Sequence, residues 1–124
     1  MLKGFLYTIQ NISEANNLVV ATVELNEKHE IFKGHFPNQP LLPGVCMLQM
    51  VREVLEESLT DKLQLLKADD IRFTAMIDTG ENKEIKFEIQ YKQAEEKSIN
   101  ITAKILKQDA VVCCKVKASY SIKP

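Results

Sequence analysis

The chain has 124 residues, with 16 basic against 17 acidic side chains and a formal net charge of −1. This length fits one domain that buries its own core, and the interspersed charges argue against a nucleic-acid-binding protein. No apolar run approaches the roughly 20 residues that span a bilayer, and the first ten residues lack the apolar core and cleavage site of a signal peptide, so we expect a cytoplasmic protein.

The first clear pattern along the chain is the alternation of apolar and polar residues over 19–25, which predicts a strand. Residues 43–59 then carry apolar side chains at helical spacing: Met47, Leu48, Val51, Val54, Leu55 and Leu59. The first half of this helix is apolar nearly all round, which predicts burial on most sides. The second half should have a solvent-facing side formed by Arg52, Glu53, Glu56 and Glu57.

The rest of the chain reads as strands. Residues 71–77 alternate, after a polar cluster at 67–70 that predicts a bulge or turn. Residues 83–92 alternate strictly, and the segments 99–105 and 110–120 form a predicted hairpin with a short polar turn. At least five strands and one long helix predict a single α+β domain over residues 1–124, in which an antiparallel sheet curls round the helix.

Three cysteines are present, and none of them is part of a Cys-x-x-Cys motif. Cys113 and Cys114 are adjacent in a predicted strand, where neighbouring side chains point to opposite faces and cannot easily share a metal. We therefore expect Cys46, Cys113 and Cys114 to be small buried or half-buried thiols, and no metal site.

The segment before the helix carries residues suited to chemistry. Pro43 is tolerated in the first turn because its missing N–H would be unpaired there, so Gly44 and Val45 supply the first free donors. Gly44 has no side chain to keep a ligand away, and the helix dipole favours a developing oxyanion at this end. His35, on a loop with Pro37 and other prolines, is a residue type that serves as a base near neutral pH.

The full motif, Gly34-His35-Phe36-Pro37 with Pro40 and Pro43-Gly44-Val45, resembles the GHFPxxPxxPGV signature of the 3-hydroxyacyl-acyl-carrier-protein (ACP) dehydratases of the FabA/FabZ type. The similarity continues through a phenylalanine strand and a glycine turn, here Phe73, Ile77 and Gly80. It covers residues 30–82 by motif and the rest by strand order. The resemblance implies the hotdog fold, an antiparallel sheet wrapped around one long central helix.

The same resemblance implies roles for individual residues. His35 would remove the α-proton of a 3-hydroxyacyl thioester while the amide of Gly44 holds the thioester oxygen. In the family the proton for the departing hydroxyl comes from, or through a water held by, a Glu or Asp fourteen residues after the histidine. That acid lies on the helix and is contributed across the dimer interface, and here the position is Gln49. A glutamine can orient a water but has no proton to give. Glu53 follows one turn later; we expect an exposed charge paired with Lys or Arg, with a water-mediated reach into the site as the alternative.

The resemblance further implies no metal or nucleotide cofactor and a phosphopantetheine-linked acyl chain on ACP as substrate, in fatty-acid or polyketide-like biosynthesis. It also implies a homodimer, with a higher oligomer or a heterodimer as alternatives. An acyl tunnel between the subunits is expected to be lined by Phe36, Leu42, Val45 and Met76. Two other functions stay open: a non-catalytic acyl-binding or partner subunit of a dehydratase, and a hotdog thioesterase in which Gln49 holds the attacking water.

Overall fold

A computed structural model describes residues 2–34 and 40–123 of the chain. Within them the elements are β1 (Tyr7–Ala15), β2 (Leu18–Leu25), a short α1 (Ile31–Gly34), α2 (Gly44–Leu59), β3 (Leu63–Phe73), β4 (Glu84–Glu95), β5 (Ser98–Leu106) and β6 (Val112–Ile122). The six strands form one antiparallel sheet in the order β1-β2-β4-β5-β6-β3. In these two described stretches, no helix is long and apolar enough to cross a membrane.

The alternating residues of the central strands build one apolar face of the sheet. In β4 and β5 every second side chain is buried: Ile85, Phe87, Ile89, Ile99, Ile101, Ala103 and Ile105. Helix α2 contacts β1, β2, β3 and β4, and places Met50, Val51, Val54 and Leu55 in the same core. The strands therefore surround the helix on its apolar side, as the α+β prediction requires.

Most of the predicted elements are confirmed. Helix α2 begins at Gly44 with Pro43 as its N-terminal flanking residue, and it ends at Leu59 before Thr60, whose backbone is left-handed (φ 57°). The predicted hairpin is β5 paired with β6, and residues 83–92 lie within β4 apart from the first of them. The polar cluster at 67–70 produces two irregularities in the pairing of β3 with β6, as expected for bulges.

Two segments differ from the prediction. Strand β1 was not predicted, because a bulge between Ile9 and Asn11 shifts its register and breaks the alternation that marks a strand. The strand expected over 71–77 instead ends at Phe73. The regular pairing stops there, since the N–H groups of Thr74 and Ala75 both donate to the same carbonyl, that of Cys113.

The three cysteines are free thiols and all are buried, as predicted. Cys113 and Cys114 are both completely inaccessible, although adjacent strand residues point to opposite faces. Burial raises the pKa of each of the three thiols, which favours the neutral thiol over the reactive thiolate. These residues therefore belong to the core and not to a reactive site.

Candidate active site at the start of helix α2

The segment that leads into helix α2 is held by the loop after β3. The N–H of Leu42 donates to the carbonyl of Ile77 over 2.9 Å, and both the N–H and the hydroxyl of Thr79 donate to the carbonyl of Pro40. Thr79 is fully buried, so both of its donors face the protein interior. The position of the helix start is thus fixed by a neighbouring segment more than 30 residues away in the sequence.

Two backbone donors at the helix start have no acceptor in the described part of the chain. The carbonyl of Pro43 accepts from the N–H groups of Cys46 and Met47, over 3.1 and 3.2 Å. The N–H groups of Gly44 and Val45 make no hydrogen bond to any residue that the structure describes, and no side chain caps the helix. Together with the helix dipole, these two N–H groups form a place where a carbonyl oxygen could accept hydrogen bonds.

The ring of Phe73 lies directly over Gly44. A methyl group on Cα of Gly44 would be 2.7 Å from Cζ of Phe73, closer than atoms of this kind approach each other. Phe73 is nevertheless 51% exposed, so the ring covers one side of the helix start and leaves another side open. A larger residue at position 44 is therefore opposed by the far end of the Phe73 ring, which would have to move, and not by the backbone conformation.

This contact gives the first prediction. We expect Gly44→Ala to lower the free energy of unfolding by up to about 1 kcal/mol, because the new methyl must displace the half-exposed ring of Phe73. In a Phe73→Ala background the same substitution should be neutral or stabilising, since alanine is the better helix former. Urea unfolding of the four proteins checks this. An equal loss in both backgrounds would show that Phe73 is not the obstacle.

Gln49, the residue at the family's acid position, is hydrogen-bonded to Glu53 one turn further along α2. Its side-chain Nε2 donates to Oε2 of Glu53 over 2.7 Å. The amide therefore has a fixed orientation, with its Oε1 and its second N–H left for other partners. Gln49 is half-buried and lines a cavity beside the helix, so those remaining groups are placed to hold a water or a substrate oxygen.

Glu53 is not the exposed surface charge that was expected. Only 3% of the residue is accessible. Its carboxylate accepts hydrogen bonds from the N–H of Leu2 (3.0 and 3.1 Å), the N–H of Lys3 (2.8 Å) and the hydroxyl of Tyr7 (3.0 Å), in addition to Gln49. The prediction was wrong because the N-terminal segment folds over this face of the helix, and that contact leaves no periodic signal in the sequence.

The surroundings of Glu53 determine its protonation. Burial raises the pKa of its carboxyl, but the hydrogen bonds from Leu2, Gln49, Lys3 and Tyr7 outweigh that effect, and the pKa lies below its usual value. Burial and the neighbouring negative charge of Glu53 raise the pKa of the Tyr7 hydroxyl, which therefore stays a donor. Glu53 is ionised at neutral pH and has no proton to supply as a general acid.

The other predicted site residues are placed as follows. His35 and Phe36 lie outside the described residues. Leu42 is 4% exposed and packs in the main core, whereas Met76 is 71% exposed and Val45 is 74% exposed. Of the expected tunnel residues that the structure describes, Val45 lines the same cavity as Gln49, whereas Leu42 and Met76 do not.

That cavity has a volume of about 160 Å³ and lies between α2 and the strands β3 and β6. Its lining includes Val45, Leu48, Gln49, Arg52, Ala118 and Tyr120. The walls are mainly apolar, and the helix contributes two polar side chains to them, Gln49 and, one turn further along, Arg52. Sequence reasoning named Val45 and Gln49 for the site but gave Arg52 only a solvent-facing role.

Comparison with known proteins bears on this site. A family model described as ApeI dehydratase, of the ApeI-like family, matches residues 10–117. The 3-hydroxyacyl-(acyl-carrier-protein) dehydratase FabZ of Lactococcus lactis is 29% identical over 92 residues, which are 68% of this chain and 60% of that protein. FabZ of Shewanella pealeana is 30% identical over 105 residues, 77% of this chain and 65% of that protein. The chain thus spans less than two thirds of these relatives.

Solved structures show the same fold. The dehydratase heterocomplex ApeI:P from Xenorhabdus doucetiae has a chain with a TM-score of 0.66 and 16% identity, covering 91% of this chain and 96% of that one. The PaaI protein of E. coli gives a TM-score of 0.70 at 11% identity, covering 97% and 81%. These structures confirm the hotdog fold. With a family model that matches most of its length, this chain belongs to the ApeI-like dehydratase family.

Proposed function

We propose that the protein eliminates water from 3-hydroxyacyl thioesters carried by ACP. The observation that carries the proposal is the pair of unoccupied N–H groups on Gly44 and Val45, directly after the histidine motif and beside the cavity that Gln49 lines. The thioester oxygen would accept hydrogen bonds from these groups, which stabilise the negative charge that develops when the α-proton leaves.

Neither Gln49 nor Glu53 can supply the proton that the leaving hydroxyl needs. His35 takes the α-proton, and the bond between the β-carbon and the hydroxyl oxygen breaks. Gln49 has no titratable proton, and Glu53 is ionised at neutral pH with its carboxylate already accepting four donors. The proton that converts the leaving hydroxyl to water would therefore come from the His35 imidazolium, relayed by a water on the Gln49 amide.

A turnover assay separates the three candidate functions. The purified protein is incubated with a 3-hydroxyacyl-ACP or a short thioester mimic, while enoyl formation and free thiol are followed together. Enoyl product without thiol supports the dehydratase. Free thiol without enoyl product supports the thioesterase. Neither product, together with retained binding of the acyl carrier, supports the non-catalytic partner subunit and contradicts our proposal.

The chain contains two histidines, which provide a matched control. We expect His35→Ala to lower the dehydration rate at least about tenfold, because a positioned general base contributes that much or more. His29→Ala should leave the rate unchanged, since Nδ1 of His29 only accepts a local hydrogen bond from the N–H of Ile31. Similar rates for the two variants would exclude His35 as the base.

A second subunit is part of the proposal. Strand β3 lies at an edge of the sheet and exposes Leu65, Leu66 and Phe73, and outside the strand Val45 and Met76 are each more than half exposed. An apolar surface along an unpaired strand edge is typical of a subunit interface. We propose a homodimer through this edge. Sedimentation at micromolar concentration checks this, and a monomer would favour pairing with a different hotdog chain, as in a dehydratase heterocomplex.

A further inference from the structure

Arg52 is the charged member of the cavity beside helix α2. The residue is half-buried, and it lines the cavity together with Gln49, one turn earlier, and the apolar side chains Leu65, Ile71 and Val116. A guanidinium stays protonated at any physiological pH. The cavity therefore combines mainly apolar walls with a permanent positive charge.

Among the residues that the structure describes, Arg52 has no ion-pair or hydrogen-bond partner, although it lies within electrostatic range of the Tyr120 hydroxyl in the same cavity. Nε of Arg52 is inaccessible to solvent and has no hydrogen-bond acceptor, and the side chain makes no ion pair within 2–34 or 40–123. The acid four residues later, Glu56, would be the usual partner on a helix. Its Oε2 instead accepts from the N–H of Leu63 over 2.8 Å. Glu53, the adjacent acid, is held by the N-terminal segment.

A buried N–H without an acceptor is costly, and an anion beside Arg52 would satisfy its Nε. A carboxylate matches its planar fork of donors and can accept two parallel hydrogen bonds. The cavity has one end near the free N–H groups of Gly44 and Val45, and Arg52 lies about 12 Å further along the helix axis, given 1.5 Å per residue. An acyl chain held by its thioester at Gly44 could therefore reach Arg52 with its far end.

We propose that this cavity receives the distal end of the acyl chain and that Arg52 selects chains ending in a carboxylate over chains ending in a methyl group. The inference rests on the proposed function for the position of the thioester. It assigns Arg52 a role in substrate selection that is independent of the chemistry at His35.

The test compares two 3-hydroxyacyl thioester mimics of equal length, one ending in a methyl group and one in a carboxylate. We expect the wild type to prefer the carboxylate-ended chain about tenfold or more in kcat/KM, since a hydrogen-bonded charge pair contributes that much. Arg52→Met should remove this preference, because kcat/KM for the carboxylate-ended chain should fall much further than kcat/KM for the methyl-ended chain. Arg72→Met is the control, because Arg72 pairs with Asp70 on the surface and does not line this cavity.

Binding of unreactive thioether analogues, measured by calorimetry, separates the two proposals. If neither mimic is turned over but the carboxylate-ended analogue binds more tightly and loses this advantage in Arg52→Met, the selection stands and the proposed dehydration fails. Equal turnover or binding of both chains by the wild type overturns the selection. A weaker dimer in Arg52→Met with an unchanged chain preference also overturns it, since the guanidinium would then serve the partner subunit.

Arg52→Lys keeps the positive charge and should retain part of the preference. It is the control for loss of the preference through misfolding of Arg52→Met.

Discussion

Replacing Glu53 with leucine is expected to lower the free energy of unfolding by about 3 kcal/mol or more, because hydrogen bonds to a charged group are individually worth about 1.5–3 kcal/mol. The carboxylate satisfies the N–H groups of Leu2 and Lys3, the Tyr7 hydroxyl and the Gln49 amide. A leucine of similar volume fills the space and leaves all four donors without this acceptor. Urea unfolding measures the loss.

Glu53→Gln is the matched control. It keeps the shape and one acceptor oxygen but removes the charge, so we expect an intermediate loss. A Glu53→Leu protein as stable as the wild type would mean that the N-terminal segment contributes nothing to the fold through this carboxylate.

The stability that Glu53 provides should depend on pH. Its pKa in the folded protein lies below its value in the unfolded chain, which is about 4.3 for a glutamate. The folded state therefore binds fewer protons at Glu53, and the stabilisation is fully present above the unfolded value. It is lost as the pH falls through the folded pKa. The difference in unfolding free energy between the wild type and Glu53→Gln should accordingly shrink below about pH 4.

The fold was largely predictable because period-2 and period-3.6 patterns report directly on burial. Strands β4, β5 and β6 bury mostly alternate residues in the core, and the sequence shows that alternation without help from distant contacts. Strand β1 lies at the sheet edge and contains a bulge, so few of its residues are buried and its pattern is weak. Local periodicity could not reveal it.

The site was predictable only where a local motif defines it. The proline before Gly44 and the helix after it predict that the N–H groups of Gly44 and Val45 are the first free donors. The environment of Glu53 depends on a segment about 50 residues earlier in the chain, and the free guanidinium of Arg52 depends on Glu56 turning towards Leu63. Both are tertiary contacts between polar groups, for which a single sequence has no periodic signal. Helix-face reasoning therefore assigned both residues to solvent.

The contact between Gln49 and Glu53 changes what the substitution Gln49→Glu would do. Glutamate and glutamine have nearly the same shape, so the new carboxylate oxygen would replace Nε2 at 2.7 Å from Oε2 of Glu53. Two carboxylates this close cannot both be ionised, and they share one proton. The pair titrates as a unit, with one apparent pKa raised well above the usual glutamate value.

This shared proton has a cost in stability. Folding at neutral pH requires the pair to take up a proton that two unfolded glutamates do not hold, which costs about 2–4 kcal/mol. Since the folded variant binds more protons than the unfolded chain, its stability falls as the pH rises above about 4.3, up to the raised pKa. The deficit relative to the wild type should be small at pH 4 and large at pH 7. The double variant Gln49→Glu with Glu53→Gln removes the carboxylate pair, so it should recover part of the loss.

The same proton is what the wild-type site lacks for dehydration. If the absence of an acid at position 49 limits the rate, Gln49→Glu should dehydrate 3-hydroxyacyl thioesters faster than the wild type by up to about 10²-fold, since a positioned general acid contributes that much or more. Because the acid must be protonated, the gain in rate should disappear as the pH rises above the apparent pKa of the pair.

The double variant is the control. The amide that replaces the Glu53 carboxylate can donate to the new carboxylate at position 49, and the pKa of that carboxylate is no longer raised by a second charge. The rate gain of the double variant should therefore end at a lower pH. A Gln49→Glu protein that remains folded but dehydrates more slowly than the wild type would contradict this expectation. It would show that the Gln49 amide, held in place by Glu53, itself performs the step that we assign to the bound water.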